Sequence, residues 1–431
     1  MKMEYRKLKP YLLLWGTQSL SALGSAMTNY ALVIWLYQKS GSALETALLS
    51  ICSYAPYVLM SVFAGALSDR WDKKRTMLCC DLCAAVCTLI VLGLLKADRL
   101  LPWHMYILNA LSGLMNTVQQ PASDVAATLL VPRELYQKTS GLRSFSQSLV
   151  TILTPVFATA LLAFAGMDWV IAVDLGSFAI AFLTLLFFIR VPTAPQSANA
   201  DEPILRSARA GLAWLRRNSL ILKLILFLAC INLVASAYNA ALPALLLSRP
   251  QGGETVLGWV NAVSGLATLA GSVLVALLPA PKNRVKVICL TLMLSMGTEN
   301  FLLALGKTPL VWCVGSVLGW IGIPIMNANL DVILRSSIPA DMQGRVYSCR
   351  NTLQFFTIPL GFFLGGVLVD EVFSPLMAAI PPGGMLDKLF GGPGAGAAAT
   401  FCVLAVLGVA VCAAFLFLLR RDSWRDGDAL Q

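Results

Sequence analysis

Charged side chains are scarce in this sequence. Asp, Glu, Lys and Arg make up only 13% of its 431 residues, against roughly 25% in an ordinary soluble domain. Hydrophobic residues make up 58%, and the mean hydropathy is +0.74. This composition excludes a water-soluble globular protein, because too little polar surface remains to face water. In lipid, a helix satisfies its own backbone hydrogen bonds, so apolar runs of about twenty residues predict an all-α membrane protein.

Histidine is almost absent, since His104 is the only one in the chain. Cys79, Cys83 and Cys87 follow one helical face, but His104 lies at the far end of another predicted helix, so we expect no metal site. The sequence offers no nucleophile–base pair near one face, which argues against an enzyme, and no GxxxxGK loop, so an ATP-driven pump would need a partner chain. We therefore expect neither catalysis nor a cofactor.

Twelve apolar stretches are long enough to cross a bilayer. Numbered here as spans 1 to 12, they are residues 11–36, 45–68, 76–96, 103–128, 140–165, 169–190, 220–247, 255–279, 285–306, 309–333, 347–371 and 398–419. With this layout, 26 of the 32 Lys and Arg residues fall on the side of the two termini. Basic residues favour the cytoplasmic side, so we place both termini in the cytoplasm. Because the net charge of +10 is spread over short loops, we expect no nucleic-acid partner.

A polar, proline-containing break in the middle of the chain divides it into two halves. We predict an N-terminal six-helix bundle at 1–190, a cytoplasmic linker with an amphipathic helix at 191–219, and a C-terminal six-helix bundle at 220–431. The arginine-bearing helix of the linker is typical of a segment in the headgroup layer. It can tether the two halves or respond to anionic lipid.

The two halves also repeat each other in sequence. A shift of 207 residues aligns Asp124 with Asp331, Arg143 with Arg350, and Gln147 with Gln354. Since each half holds an even number of spans, the repeats have the same orientation and are related by an axis along the membrane normal. The sequence therefore predicts two pseudo-symmetric bundles around a central cavity, an arrangement that suits alternating access.

The loop between spans 2 and 3 carries a recognisable motif. It reads Gly65-Ala66-Leu67-Ser68-Asp69-Arg70-Trp71-Asp72-Lys73-Lys74-Arg75. A glycine, an Asp-Arg pair and a basic cluster in this place resemble the signature loop of the major facilitator superfamily, and with the twelve spans the resemblance covers essentially the whole chain. The VPRELYQKTSG loop and the start of span 3 resemble the macrolide-efflux-like branch of drug:proton antiporters, which also contains siderophore exporters and lysophospholipid flippases. Span 5 departs from that branch, because the paired glycines of the antiporter pattern are missing after Pro155.

The resemblance implies that this loop gates the cytoplasmic side. Gly65 would allow close helix packing, and Asp69 would accept hydrogen bonds from the N-terminus of span 11. Arg70 or Arg75 would pair with Asp124 at the inner end of span 4. Together with the basic residue Lys74, these contacts would favour the outward-facing state. The alternative is a solvated basic loop that sets orientation alone.

Carboxyl groups at membrane depth are costly and are therefore functional candidates. The candidates for proton coupling are Glu299 in span 9, Asp81 about one turn inside span 3, and Asp174 in span 6. Apolar surroundings favour the protonated carboxyl group, as a proton carrier requires. For Glu299 a purely structural hydrogen-bonding role is an equal alternative, and Asp81 can instead contact the inner interface.

Side-chain amides are concentrated on spans 1, 4, 7 and 10, which line the cavity in the resembled family. The candidates for the substrate cavity are Gln18, Asn29, Asn116, Gln120, Asn232, Asn239 and Asn327. Hydrogen bonds between neighbouring helices are the alternative use of such residues.

The sequence thus predicts a secondary active transporter that exports a bulky amphipathic small molecule, such as a macrolide-like drug, driven by protons. We expect a monomer in the bacterial plasma membrane whose partners are the small-molecule substrate and membrane lipid. A siderophore exporter or a lysophospholipid flippase is the alternative on the same scaffold. A membrane enzyme or a sensor without transport is the rival from a different class.

Overall fold

The computed structural model describes residues 2–131, 135–192, 204–279, 281–339, 342–381 and 383–418. Within these ranges it leaves out the side chains of residues 2–7, 61–70, 136–138, 140–141, 144, 204–208, 276, 335, 343–344 and 348. All regular secondary structure in the described ranges is helical. The predicted all-α membrane fold is confirmed.

Six long helices form the first half of the chain. They are α1 (Lys2–Ser40), α2 (Ala43–Arg70), α3 (Lys73–Lys96), α4 (Pro102–Leu129), α5 (Tyr136–Ala165) and α6 (Met167–Leu183), the last continuing as a π-helical turn, Thr184–Phe188. The sharp turns between α1 and α2 and between α5 and α6 use Gly41 and Gly166 at φ of 68° and 79°, where only glycine is unstrained. Asp72 begins α3 by accepting a hydrogen bond from the Arg75 backbone N–H at 2.8 Å.

The second half contains more and shorter helices. They are α7 (Ile204–Arg217), α8 (Ser219–Ser248), α9 (Glu254–Leu277), α10 (Arg284–Leu305), α11 (Pro309–Trp320), α12 (Ile323–Ser337), α13 (Gln343–Phe355), α14 (Thr357–Val367), α15 (Ser374–Ala378), α16 (Met385–Phe390) and α17 (Ala395–Leu418), with a π-helical turn at Leu368–Phe373. Span 10 is divided into α11 and α12, and Pro324 stands in the first turn of α12. Span 11 is divided into α13, α14, the π-helical turn and α15.

Eleven of the described helical stretches are long and apolar enough to cross a membrane. They correspond to every predicted span except span 4. That span is α4, whose 28 residues would rise about 42 Å and are therefore long enough. Its four amide side chains (Asn109, Asn116, Gln119 and Gln120) lower its hydropathy.

By its contacts the chain forms two units. The first contains Met1–Trp35 and Leu49–Ile204, and the second contains Leu36–Leu48 and Leu205–Gln431. The turn between α1 and α2 therefore groups with the second unit. The predicted boundaries at 1–190, 191–219 and 220–431 stay a prediction.

Close helix packing in the second unit occurs at glycines of α14. A side chain at Gly361 would collide with the backbone of Leu233, and one at Gly365 would collide with Ala237. Both neighbours belong to α8, so these glycines let the two helix backbones approach closely.

Candidate functional site

A cavity of about 510 Å³ lies inside the first unit. This volume is within the range of about 300–1,000 Å³ that small-molecule sites occupy. The cavity brings together residues predicted for three different roles: Gln18, Asn29, Asn116 and Gln120 for substrate, Asp81 and Asp174 for proton coupling, and Asp124 for gating. Helices α1, α3, α4 and α6 supply these side chains, so we take the cavity as the candidate site.

Asp81 of α3 is held by two amide side chains. Gln119 Nε2 donates to its Oδ1 at 2.6 Å, and Gln18 Nε2 donates to its Oδ2 at 3.3 Å. All three residues line the cavity. The carboxyl group therefore links α1, α3 and α4, and its orientation is fixed by two neutral donors. Gln119 was recognised as an amide of span 4, but no spacing in the sequence places it on Asp81.

Asp174 of α6 occupies a second point on the same cavity wall. Its Oδ1 accepts a hydrogen bond from Ser25 Oγ of α1 at 2.9 Å, and Ser177 Oγ donates to its backbone carbonyl at 2.8 Å. A side chain at Gly24 would overlap Ser177 and the backbone of Asp174. Gly24 therefore permits the close approach of α1 and α6 that lets Ser25 reach the carboxyl group.

Asp124 forms an ion pair at the end of α4. Its Oδ1 lies 2.5 Å from Nη1 of Arg143 on α5, and both side chains are about half exposed, at 44% and 51%. In the second unit the equivalent arginine has a different hydrogen bond: Arg350 Nε donates to Gln354 Oε1 at 3.0 Å, with Asp331 close enough to act on it electrostatically. In the present arrangement Asp124 pairs with Arg143, so the predicted pairing with the loop arginines stays a prediction.

The signature loop is described only in part. Gly65, Asp69 and Arg70 belong to residues 61–70, for which only the backbone is described. Lys74 Nζ donates to the carbonyl oxygens of Leu186 at 2.9 Å and Ile189 at 2.7 Å, at the π-helical end of α6. A lysine at this place satisfies carbonyls that a helix end leaves free. Its contact with α6 was not predicted.

Glu299 of α10 lies in the second unit, in different surroundings. Its Oε1 accepts hydrogen bonds from Tyr238 Oη of α8 at 2.7 Å and from Trp320 Nε1 of α11 at 3.0 Å, and only 6% of the residue is exposed. A side chain at Gly319 would overlap the carboxyl group. The glycine therefore makes room for Glu299, which links three helices through neutral donors.

The amides predicted on spans 7 and 10 have different surroundings. Asn232 Nδ2 donates to the Gln354 carbonyl at 3.1 Å and so joins α8 to α13. Asn239 and Asn327 are exposed, and within the described part of the chain neither has a hydrogen-bond partner. For Asn232 the structure shows the helix-to-helix hydrogen bond that the sequence had left as the alternative.

Asp370, in the π-helical turn of span 11, was missed by the sequence analysis. Its carboxylate accepts hydrogen bonds from Ser42 Oγ at 2.7 Å and from the backbone N–H groups of Ala43 at 3.2 Å and Leu44 at 2.8 Å. It therefore caps the N-terminus of α2, where the helix dipole favours an anion. An acidic residue inside an otherwise apolar span was the available signal.

Arg249, just after α8, was also missed. Its Nη1 donates to the Gly391 carbonyl at 3.1 Å and its Nη2 to the Phe390 carbonyl at 3.3 Å. Burial lowers the pKa of this guanidinium from its ordinary value. The side chain ties the end of α8 to the segment between α16 and α17.

The chain was then compared with known proteins. The family model of the Major Facilitator Superfamily matches residues 14–249. Over 370 residues the chain is 24% identical to macrolide efflux protein A of Streptococcus pyogenes, covering 85% of this chain and 90% of that protein. Over 290 residues it is 25% identical to the enterobactin exporter EntS of Escherichia coli, covering 65% and 66%. The crystal structure of nucleoside transporter NupG has a TM-score of 0.69 at 12% identity, covering 95% of this chain and 99% of that one.

These findings agree with the fold and with the composition. The family model spans more than half of the chain, and the structural similarity extends over nearly all of it. The described helices are those of a multi-pass membrane protein with a polar cavity inside an apolar bundle. This chain belongs to the major facilitator superfamily of membrane transporters.

Proposed function

We propose that this protein exports a bulky amphipathic small molecule of the macrolide type across the bacterial plasma membrane, by alternating access and at the expense of a proton gradient. It acts as a monomer with both termini in the cytoplasm, it has membrane lipid as its surroundings, and it catalyses no covalent step.

The observation that carries this proposal is the cavity of the first unit. Seven residues chosen from the sequence for transport roles line it together, although they come from four helices. Its wall combines amides and carboxyl groups with apolar side chains such as Leu32, Val91 and Phe178. Such a wall suits a molecule with both polar and apolar surface.

The direction of transport is inferred from relatives. Macrolide efflux protein A and the enterobactin exporter are both named for outward transport. The relatives therefore include exporters of two different kinds of cargo, macrolides and enterobactin. Alignment with macrolide efflux protein A covers more of both chains, which favours a macrolide-type cargo.

Proton coupling is assigned to the carboxyl groups of the cavity. Asp81 and Asp174 contact the cavity directly, where a change of protonation would alter the hydrogen bonds to Gln18 and Ser25 on α1. Glu299 can carry a proton only if its hydrogen bonds to Tyr238 and Trp320 rearrange. The cavity carboxyls are therefore the better candidates.

The test is accumulation of a labelled macrolide in cells that make the protein, with and without a protonophore. We expect lower accumulation than in cells lacking the protein, and we expect the protonophore or the substitution Asp69→Asn to abolish the difference. Asp168→Asn, an exposed residue in the first turn of α6, is the matched control and should export normally. Equal accumulation in all strains would refute macrolide export.

A siderophore is the second candidate cargo, because the enterobactin exporter is among the relatives. The same cells, loaded with a labelled siderophore in place of the macrolide, distinguish the two. Export of the siderophore alone would replace the macrolide assignment and leave the transport mechanism unchanged.

A further inference from the structure

Three arginines of the amphipathic helix α7 have no counter-charge in the protein. Arg209, Arg216 and Arg217 are exposed, and within the described part of the chain none of their side chains has an ion pair or a hydrogen bond. Spacings of seven and eight residues place them on one side of the helix. α7 contains no acidic residue that could balance them. We call these three residues the arginine face of α7.

The opposite side of α7 is packed against the protein. The side chain of Leu215 is fully buried there. A side chain at Gly211 would collide with the backbone carbonyl of Arg345 and with Cys349 Sγ, both of α13. Gly211 therefore allows α7 to lie directly on α13, the first helix of span 11. This packing fixes the orientation of α7, so the arginine face points away from the protein.

The arginine face lies beside the ends of two membrane spans. α7 ends at Arg217, and only Asn218 separates it from the candidate span Ser219–Ser248, which is α8. α13, on which α7 lies, belongs to the candidate span Arg345–Ala378. Trp214 of α7 is half-buried, and tryptophan is typical of the boundary between lipid and water. These positions place the arginine face at the level of the lipid headgroups.

The charge of this face matches one kind of partner at that level. A guanidinium presents N–H donors in a fixed fork that pairs with two phosphate oxygens. Basic residues beside a membrane span are attracted to the anionic lipids of the cytoplasmic leaflet, and each residue adds to the attraction. A zwitterionic lipid carries no net charge that could balance three arginines.

We propose that the arginine face of α7 is a binding surface for anionic phospholipids, whose phosphate groups pair with Arg209, Arg216 and Arg217. The bound headgroups supply the counter-charge that the described protein lacks there, and they anchor α7 in its place on α13. This inference goes beyond the proposed function and shares with it only the cytoplasmic position of the linker.

The test is equilibrium binding of labelled short-chain phospholipids to the purified full-length protein in a neutral detergent. Phosphatidylglycerol is the anionic probe, and phosphatidylcholine with the same chains is the zwitterionic control. We expect phosphatidylglycerol to bind at least about tenfold more tightly, because three cations attract its net charge. The preference should shrink when the ionic strength rises from about 0.1 M to about 1 M, since salt screens exposed charges.

Two triple variants with the same change of charge then locate the site. Glutamine at all three positions of the arginine face (Arg209→Gln, Arg216→Gln and Arg217→Gln) should weaken phosphatidylglycerol binding by about tenfold or more. Phosphatidylcholine binding should stay unchanged. The matched control replaces three other exposed basic residues that we place on the same side of the membrane: Arg190→Gln, Lys282→Gln and Lys286→Gln. It should keep the wild-type preference for phosphatidylglycerol.

Three results would overturn the inference. Equal affinity of the wild-type protein for the two lipids would remove the preference itself, and this comparison stands even if a variant fails to fold. Equal losses in the two triple variants would show a diffuse attraction to all inner basic residues. Displacement of the labelled lipid by an equal concentration of inorganic phosphate would make a soluble anion the partner.

The binding measurements need no cargo, so they separate this inference from the proposed function. A phosphatidylglycerol preference in a protein that does not lower macrolide accumulation would support the lipid surface and refute macrolide export. Macrolide export by a protein without the preference would do the reverse.

Discussion

The two units of this transporter use buried carboxyl groups in different ways. In the first, Asp81 and Asp174 face a cavity and are each held to α1 by neutral donors. In the second, Glu299 is enclosed by Tyr238, Trp320 and the space that Gly319 leaves. Burial of the membrane-crossing window is highest, at 50–56%, in α8, α9 and α10 of the second unit, whereas it is 28–33% in the other three spans of that unit and 22–39% in α1, α2, α3, α5 and α6 of the first.

This difference has arisen on one repeated framework. The acid, arginine and glutamine shared by the two halves occupy equivalent helix ends, with Asp124 beside Arg143 in one unit and Asp331 acting on Arg350 in the other. The two halves therefore share residues at these helix ends, whereas their buried carboxyl groups have different surroundings. The polar cavity lies in the first unit, whereas the Glu299 carboxyl group of the second unit is enclosed by other side chains.

The largest effect on stability should come from removing the enclosed carboxyl group. Glu299→Ala leaves the hydroxyl of Tyr238 and the indole N–H of Trp320 buried without an acceptor, and it opens a void. We expect a loss of about 3 kcal/mol, measured as thermal unfolding in detergent. Glu299→Gln keeps an acceptor and should cost less than about 1 kcal/mol. If both variants unfold like the wild type, the enclosed network does not support the second unit.

The same pair of variants addresses coupling. If Glu299 is a structural acceptor, Glu299→Gln should keep proton-driven export near the wild-type rate. Loss of export in a Glu299→Gln protein of normal stability would instead make Glu299 the proton carrier and would remove the contrast between the two units.

A smaller loss is expected where Asp370 caps α2. Asp370→Ala removes the acceptor of three hydrogen bonds, two of which come from backbone N–H groups at the helix start. We expect a loss of about 1–2 kcal/mol in the same unfolding measurement, as for other lost helix caps. Asp387→Ala is a control in the same unit, since this half-buried residue accepts a hydrogen bond from a single backbone N–H, that of Gly383. Equal losses in the two variants would contradict a special role for Asp370.

The fold could be predicted largely from hydropathy, because spans of about twenty apolar residues have one stable solution in lipid. The sequence predicted a central cavity lined by amides of spans 1, 4, 7 and 10, and three of these amides, Gln18, Asn116 and Gln120, line the cavity of the first unit. What the sequence could not supply are contacts between distant helices. The bonds from Gln119 to Asp81 and from Tyr238 to Glu299 cross 38 and 61 residues, and periodicity within one helix carries no information about them. The capping of α2 by Asp370, across more than 300 residues, was hidden for the same reason.

The cavity carboxyl groups should affect transport more than stability. Asp81→Asn keeps one side-chain oxygen that can accept a hydrogen bond from Gln119 or Gln18, so we expect a loss below about 1 kcal/mol. Export of the cargo should nevertheless fall by about tenfold or more, because one of the two cavity carboxyl groups proposed to carry the proton is lost. Initial rates in proteoliposomes, compared with those of Asp168→Asn, measure the effect. A protein that loses stability and export together would indicate that Asp81 is a packing residue, as Glu299 is.

The smallest effect is expected at the ends of the repeat. Arg143 and Asp124 are about half exposed, and such ion pairs contribute less than about 1 kcal/mol because water and salt screen them. Arg143→Ala should therefore leave unfolding almost unchanged. Arg350→Ala is its repeat equivalent, and it removes the donor to Gln354 from a half-buried position, so it should cost more. Parallel unfolding measurements on the two variants compare these two losses of stability. A greater loss from Arg143→Ala would place the tighter packing in the first unit and reverse the comparison between the two halves.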